Sequence, residues 1–188
     1  MKEKAAGKSS RLKTVDLTYI GVFAAVIAVC SWVQIPFGAV PVTLQTFAVC
    51  TAAGLFGAKR GVLSVLVYIL LGLVGVPVFS GFNAGAGALL GVTGGYIIGF
   101  VFTALIVGLA VDFLGGRLWV CFASMLLGIL VCYAFGTAWF VVVYTRKVES
   151  ITVGGALSMC VFPFIIPDII KAALATAVCA ALKKYVKK

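Results

Sequence analysis

An acid and a base stand three residues apart in a run that is otherwise apolar: Phe162-Pro163-Phe164-Ile165-Ile166-Pro167-Asp168-Ile169-Ile170-Lys171-Ala172-Ala173. A charged side chain at membrane depth costs about 2.5 to 3.5 kcal/mol, so these two need a partner or a purpose. On a helix, i and i+3 neighbours can neutralise each other and cement a bundle. Alternatively they hold an acceptor and a donor ready for a polar ligand, where charge-assisted bonds in a dry pocket are strong. Among the charges of the chain, only Asp168 and Lys171 read as buried.

Other groups suit the same purpose. Asn83 lies between Phe82 and a run of small residues, where its amide either reads a ligand's polar edge or serves a turn. Gln45 and Thr43 sit at the mouth of an apolar run, and Thr43 can equally cap the helix that follows. Phe79, Phe82, Tyr96 and Trp139, with Trp32, Phe37 and Phe164, are numerous enough to wall an apolar recess, although some belong to an interfacial belt.

Several chemistries are excluded. The chain has no His, which removes HExxH zinc sites and every His-dependent triad. Its six Cys stand singly without a CxxC pair and read as small apolar residues, so neither a metal nor a cofactor is expected. Gly54-Leu55-Phe56-Gly57-Ala58-Lys59-Arg60 lacks Walker spacing, so any use of ATP must come from another chain. Gly91-Val92-Thr93-Gly94-Gly95-Tyr96-Ile97-Ile98-Gly99 lacks the GxGxxG order; Gly91, Gly95 and Gly99 read instead as a smooth helix face for close packing.

The elements that must position these residues are membrane helices. The chain is 63% hydrophobic and 11% charged, with a mean hydropathy of +1.23. Apolar runs of spanning length recur throughout, which predicts an all-α integral membrane protein. Six spans are expected, at Leu17 to Ile35, Leu44 to Ala58, Val62 to Val76, Ala88 to Phe113, Leu118 to Tyr144 and Ile166 to Leu182. Of the fifteen basic residues, twelve then fall on one side: Lys2, Lys4, Lys8, Arg11, Lys13, Lys59, Arg60, Arg117, Lys183, Lys184, Lys187 and Lys188. That asymmetry places both termini in the cytoplasm, with residues 1–16 as a basic tail and 17–188 as the membrane substrate-binding domain. The net charge of +10 therefore belongs to the inner face of a cell membrane rather than to a nucleic-acid partner.

At about 1.5 Å per residue, Asp168 stands roughly 22 Å above Lys183, in the outer part of the hydrocarbon core. With Pro167 in the first helical turn, Asp168 is expected beside the positive end of the helix dipole. The outer connections Pro36 to Pro41 and Pro77 to Gly87 carry no charge and should fold inward as a lid. On the first helix, Gly21, Ala24, Ala25 and Ala28 form a small-residue stripe suited to another helix, inside the bundle or on another subunit. No internal repeat is evident.

Four ordered segments carry a family resemblance. Pro41-Val42-Thr43-Leu44-Gln45-Thr46, Gly75-Val76-Pro77-Val78-Phe79, Gly91-Val92-Thr93-Gly94-Gly95-Tyr96 and Pro163 through Lys171 resemble the signature segments of BioY, the biotin-binding S component of energy-coupling factor transporters. Val92 stands where the family has proline, and Ile166-Pro167 replaces its Pro-Gly. The likeness runs from about Leu17 to the C-terminus. It implies a six-helix bundle that captures biotin from outside, a transmembrane coupling T component, and two cytoplasmic ATPase subunits that drive delivery inward. It also implies that the stripe on helix one, matched by Ala24 and Ala28, meets the coupling protein.

Biotin offers two ureido N–H donors, a carbonyl, an apolar ring and a carboxylate. Asp168 is expected to accept from the ureido ring, Asn83 to assist there, and Lys171 to meet the ureido carbonyl or the carboxylate. A membrane-embedded enzyme using Asp168 and Lys171 as acid and base would need a further nucleophile or metal. The remaining alternative is a stand-alone secondary carrier for a small zwitterionic or anionic solute.

Overall fold

The computed structural model describes residues 13–36, 40–148 and 150–185. Helix α1 spans Thr14–Trp32, as long as expected but starting and ending three residues earlier, because Val33 turns extended (φ −78°, ψ 95°). The chain then forms β1 (Gln34–Ile35), which pairs antiparallel with β2 (Val42–Thr43) in the register Gln34↔Thr43 and Ile35↔Val42. Pro36 and Pro41 bracket the tip of this ribbon, where neither needs to donate to the ladder. Phe37 lies outside the described residues.

Helix α2 (Gln45–Leu73) takes in both the second and third expected spans, yet it is not one rod. Gly57 has φ +80° and ψ −175°, a conformation that a residue with a Cβ rarely adopts. The chain reverses there: a Cβ on Gly61 would lie 2.7 Å from the Cα of Ala53. Likewise the side chains of Gln45 and Tyr68 are 2.5 Å apart. Residues 23 apart on a straight helix would be separated by about 35 Å.

A 3₁₀ turn (Ser80–Phe82) and short α3 (Ala86–Leu89) precede α4 (Gly94–Leu114), so the fourth span begins later than its hydropathy suggests. Helix α5 covers Leu118–Lys147, three residues beyond the expected end at Tyr144, with Arg146 and Lys147 in its last turn. Helix α6 (Val153–Cys160), which hydropathy did not single out, starts at Thr152, whose side chain accepts the N–H of Gly155. Helix α7 (Phe162–Leu182) begins four residues before its expected start, with Pro163 in the first turn.

Five of these helices are long and apolar enough to cross a membrane: α1, α2, α4, α5 and α7. In lipid, association depends on close packing more than on hydrophobic exclusion. Helices α4 and α5 meet accordingly through their smallest residues: a Cβ on Gly99 would stand 2.7 Å from Cys132 Sγ. Nearby, Thr103 donates to the carbonyl of Gly128 across the same interface at 2.9 Å.

The end of the bundle carrying the Gly57 reversal holds a second set of buried charge. Asp16 is only 8% exposed and belongs to the first turn of α1 rather than to a tail. Its carboxylate meets Arg60 at 2.5 Å and accepts the backbone N–H of Lys13 at 2.8 Å. The expectation that Asp168 and Lys171 alone are buried is thus corrected; a charge near a basic leader hides well in sequence because its surroundings look solvated. Asp112 of α4 accepts the N–H of Ala58 at 2.9 Å, bracing the first turn after the reversal.

At the opposite end, the connection after α2 is fastened to α1. Ser31 donates to the carbonyl of Val78 at 2.5 Å, Trp32 Nε1 donates to that of Pro77 at 3.0 Å, and Ser80 donates to Gln34.

Candidate functional site

Beneath that connection lies a cavity of about 440 Å³, walled by both halves of the sequence. Thr43 and Gln45 come from β2 and α2, Phe79, Ser80 and Asn83 from the fastened loop, Tyr96 and Phe100 from α4, Tyr133 from α5, and Phe164, Asp168 and Lys171 from α7.

At its charged pole, Asp168 and Lys171 are 4% and 6% exposed. Lys171 Nζ donates to Asp168 Oδ1 at 2.7 Å, and the hydroxyl of Tyr133 donates to Oδ2 at 2.6 Å. Each carboxylate oxygen therefore has one donor and retains acceptor capacity toward the cavity, while the ammonium keeps further donors. The pair is closed on itself yet has room beside it. Its partners differ from those expected of a helix terminus: α7 starts at Phe162, so Asp168 lies past the first turn, where the dipole has faded. Lys171 and Tyr133 offset its burial instead.

Pro167 sits inside α7 without an N–H to donate. The carbonyl of Pro163, four residues earlier, consequently lacks its usual helical partner at the turn that presents Asp168.

The second polar group is built around Gln45. Thr43 Oγ1 donates to Gln45 Oε1 at 3.0 Å and accepts the Gln45 backbone N–H at 3.3 Å, so it both orients the amide and holds the first N–H of α2, whose N-cap position is Leu44 rather than Thr43. Gln45 Nε2 donates to Tyr68 at 2.5 Å. Phe79, 1% exposed, packs edge-on against the same Tyr68 ring at 5.5 Å. Asn83 donates through Nδ2 to the carbonyl of Ser80 at 2.8 Å, and its own carbonyl accepts from Phe79 at 3.0 Å. It is a turn residue that also lines the cavity, leaving Oδ1 to accept. Tyr96 lines the wall with its hydroxyl 3.0 Å from that of Thr137.

Two expected wall residues lie elsewhere. Phe82 is 63% exposed and stacks on Trp32 with centroids 5.1 Å apart, clasping the loop to α1 from outside. Trp139 donates to the carbonyl of Gly91 at 3.0 Å, supporting the turn of Gly91 to Thr93 from behind rather than facing the cavity. Conversely, Tyr133 was missed. The available signal was a hydroxyl in the apolar run Leu130 to Phe135, since a buried tyrosine needs a partner.

The small-residue stripe divides. Ala24 and Ala28 are 1% and 5% exposed and belong to the core, so they pack inside the bundle. Gly21 and Ala25 face outward, and a Cβ on Gly21 would meet nothing within 4 Å. Among the described residues, no group of His, Cys, Asp or Glu is placed to hold a metal ion.

Comparison with known proteins places this architecture. A family model described as BioY matches residues 2–188. The biotin transporter BioY of Thermotoga maritima is 40% identical over 169 residues, covering 90% of this chain and 96% of that protein. The probable biotin transporter BioY of Pyrococcus horikoshii is 37% identical over 172 residues, covering 92% and 98%. A crystal structure of the S-component for biotin from an ECF-type ABC transporter superposes with a TM-score of 0.82 at 30% identity, covering 96% of this chain and 95% of that one.

Proposed function

The chain belongs to the BioY family, and from that premise we propose that it is the biotin-capturing S component of an ATP-driven vitamin uptake transporter. The observation that carries this reading is the Asp168–Lys171 pair, buried, hydrogen-bonded by Tyr133, and bordering a cavity of the size small ligands occupy.

In this reading Asp168 accepts ureido N–H groups through its remaining lone pairs, and Lys171 directs an unused N–H at the ureido carbonyl or the carboxylate. Asn83 and Gln45 supply further polar contacts, while Phe79, Tyr96, Phe100 and Phe164 enclose the apolar ring. Both charges are already paired with each other, so the ligand adds bonds without leaving either charge alone.

Counting the two halves of α2 separately yields six crossing segments in the cell membrane. The basic residues at the Gly57 end then put both termini in the cytoplasm and the cavity on the outer side. Hydrolysis of ATP resides on two cytoplasmic ATPase subunits, joined through a transmembrane coupling T component. The outward face of α1 around Gly21 and Ala25 is the surface offered to that coupling protein.

Calorimetry on the purified protein tests the binding step. Saturable, tight biotin binding is expected, and absence of binding would overturn the proposal. Reconstitution tests the partnership: uptake should require the coupling module, whereas uptake by this chain alone identifies a stand-alone carrier.

A further inference from the structure

At the ends of α4 and α5 remote from the cavity, an open apolar groove of about 620 Å³ runs between Leu109 and Leu114 on one helix and Trp119, Ala123 and Leu127 on the other. From Trp119 to Leu127 it extends about 12 Å at the helical rise, enough for a stretch of one acyl chain. Trp119 is 83% exposed at its mouth.

Positive charge gathers beside that mouth. Arg117 lies in the α4–α5 turn, and the ammonium of Lys183, arriving from the end of α7, occupies the space that a side chain at Gly116 would need. Among the described residues neither Arg117 nor Lys183 is paired with a carboxylate. The nearby acids are turned to other partners: Asp112 to the N–H of Ala58 and Asp16 to Arg60. An apolar slot thus ends in cations that no carboxylate among the described residues neutralises.

We propose that this groove binds an anionic phospholipid, one acyl chain lying along α4 and α5 and the phosphate resting between Arg117 and Lys183. Any acyl chain satisfies the slot, so selectivity comes from the head group. A net-negative lipid offers the two cations a phosphate charge that nothing in its own head group offsets, whereas a zwitterionic one brings an ammonium that they repel. Trp119, amphipathic and exposed, suits the depth where chain and head group meet. Assignment to the inner leaflet rests on the topology proposed above; the chemistry of the site does not.

The test is native mass spectrometry of delipidated, full-length protein titrated with dioleoyl phosphatidylglycerol or dioleoyl phosphatidylcholine. Two cations near a charged head group predict a preference for phosphatidylglycerol of roughly 30-fold. Arg117→Gln with Lys183→Gln should bring the two lipids to near parity. Ala123→Trp, which fills the slot, should release both. Equal retention of the two lipids by the wild type, or a preference that survives the charge substitutions, overturns the proposal. Biotin calorimetry on the same samples separates the two readings: failed biotin binding with intact lipid preference sinks only the transport proposal, and the converse sinks only this one.

Discussion

Two close ion pairs lie at opposite ends of the described residues, Asp168–Lys171 at 2.7 Å and Asp16–Arg60 at 2.5 Å; both acids are buried, but their settings differ. The first joins residues on one helix, receives a tyrosine hydroxyl, and borders a cavity. The second ties α1 to the second half of α2, with Arg60 also lying over the Tyr19 ring at 5.7 Å, and lines neither the cavity beside Asp168 nor the groove between α4 and α5. A carboxylate beside a cation is therefore not in itself a binding feature. Unfilled space next to it, together with lone pairs left over, makes the difference.

That contrast is sharpest at the cavity. Asp168→Asn and Lys171→Met should each weaken biotin binding by at least about 2 kcal/mol, roughly 30-fold, because each removes a charge-assisted bond in a dry site and leaves its partner unpaired. Calorimetric affinities equal to wild type would reduce the pair to scaffolding. Tyr133→Phe comes next: loss of one hydrogen bond to a charged group predicts about 1.5 kcal/mol, near tenfold, in the same titration. An unchanged dissociation constant would remove Tyr133 from the site.

At the other pair, Asp16→Asn should lower the unfolding temperature while leaving biotin affinity untouched, since it loosens α1 from α2 far from the cavity. A shift in affinity comparable to that of Tyr133→Phe would erase the distinction between the two ends. The smallest effect on binding is expected on α1. Ala25→Leu, on the exposed face, should bind biotin normally yet lower uptake by the assembled transporter. Ala28→Leu, inside the bundle, should instead destabilise the fold by about 1 to 3 kcal/mol through overpacking. Equal behaviour of the two variants in uptake and thermal unfolding would contradict the division of the stripe.

Much of the site was legible because its chemistry is conspicuous. Charges at residues 168 and 171 stand out in an apolar run, and Gln45, Phe79, Asn83 and Tyr96 occur where polar or aromatic groups interrupt membrane segments. All six line the cavity. Phe82 and Trp139 carry the same signal but rotate away, one to stack on Trp32 and the other to hold Gly91. Tyr133 gave little signal, because a tyrosine in a hydrophobic helix is ordinary until a carboxylate 35 residues away reaches its hydroxyl. Hydropathy marked the stretches that form α1, α2, α4, α5 and α7, whereas the reversal inside α2 depended on a single positive φ at Gly57.

By itself the amino-acid sequence determined that this is a helical membrane protein with a costly acid and base on its last long helix, because hydropathy and the energetic penalty of charge are properties of short stretches. Tertiary structure alone decided which hydroxyl answers Asp168, which aromatic rings face the ligand space, and which alanines of α1 are buried. Those outcomes depend on the rotation of each helix about its axis and on its depth against its neighbours, and both are set by packing between residues far apart in the chain.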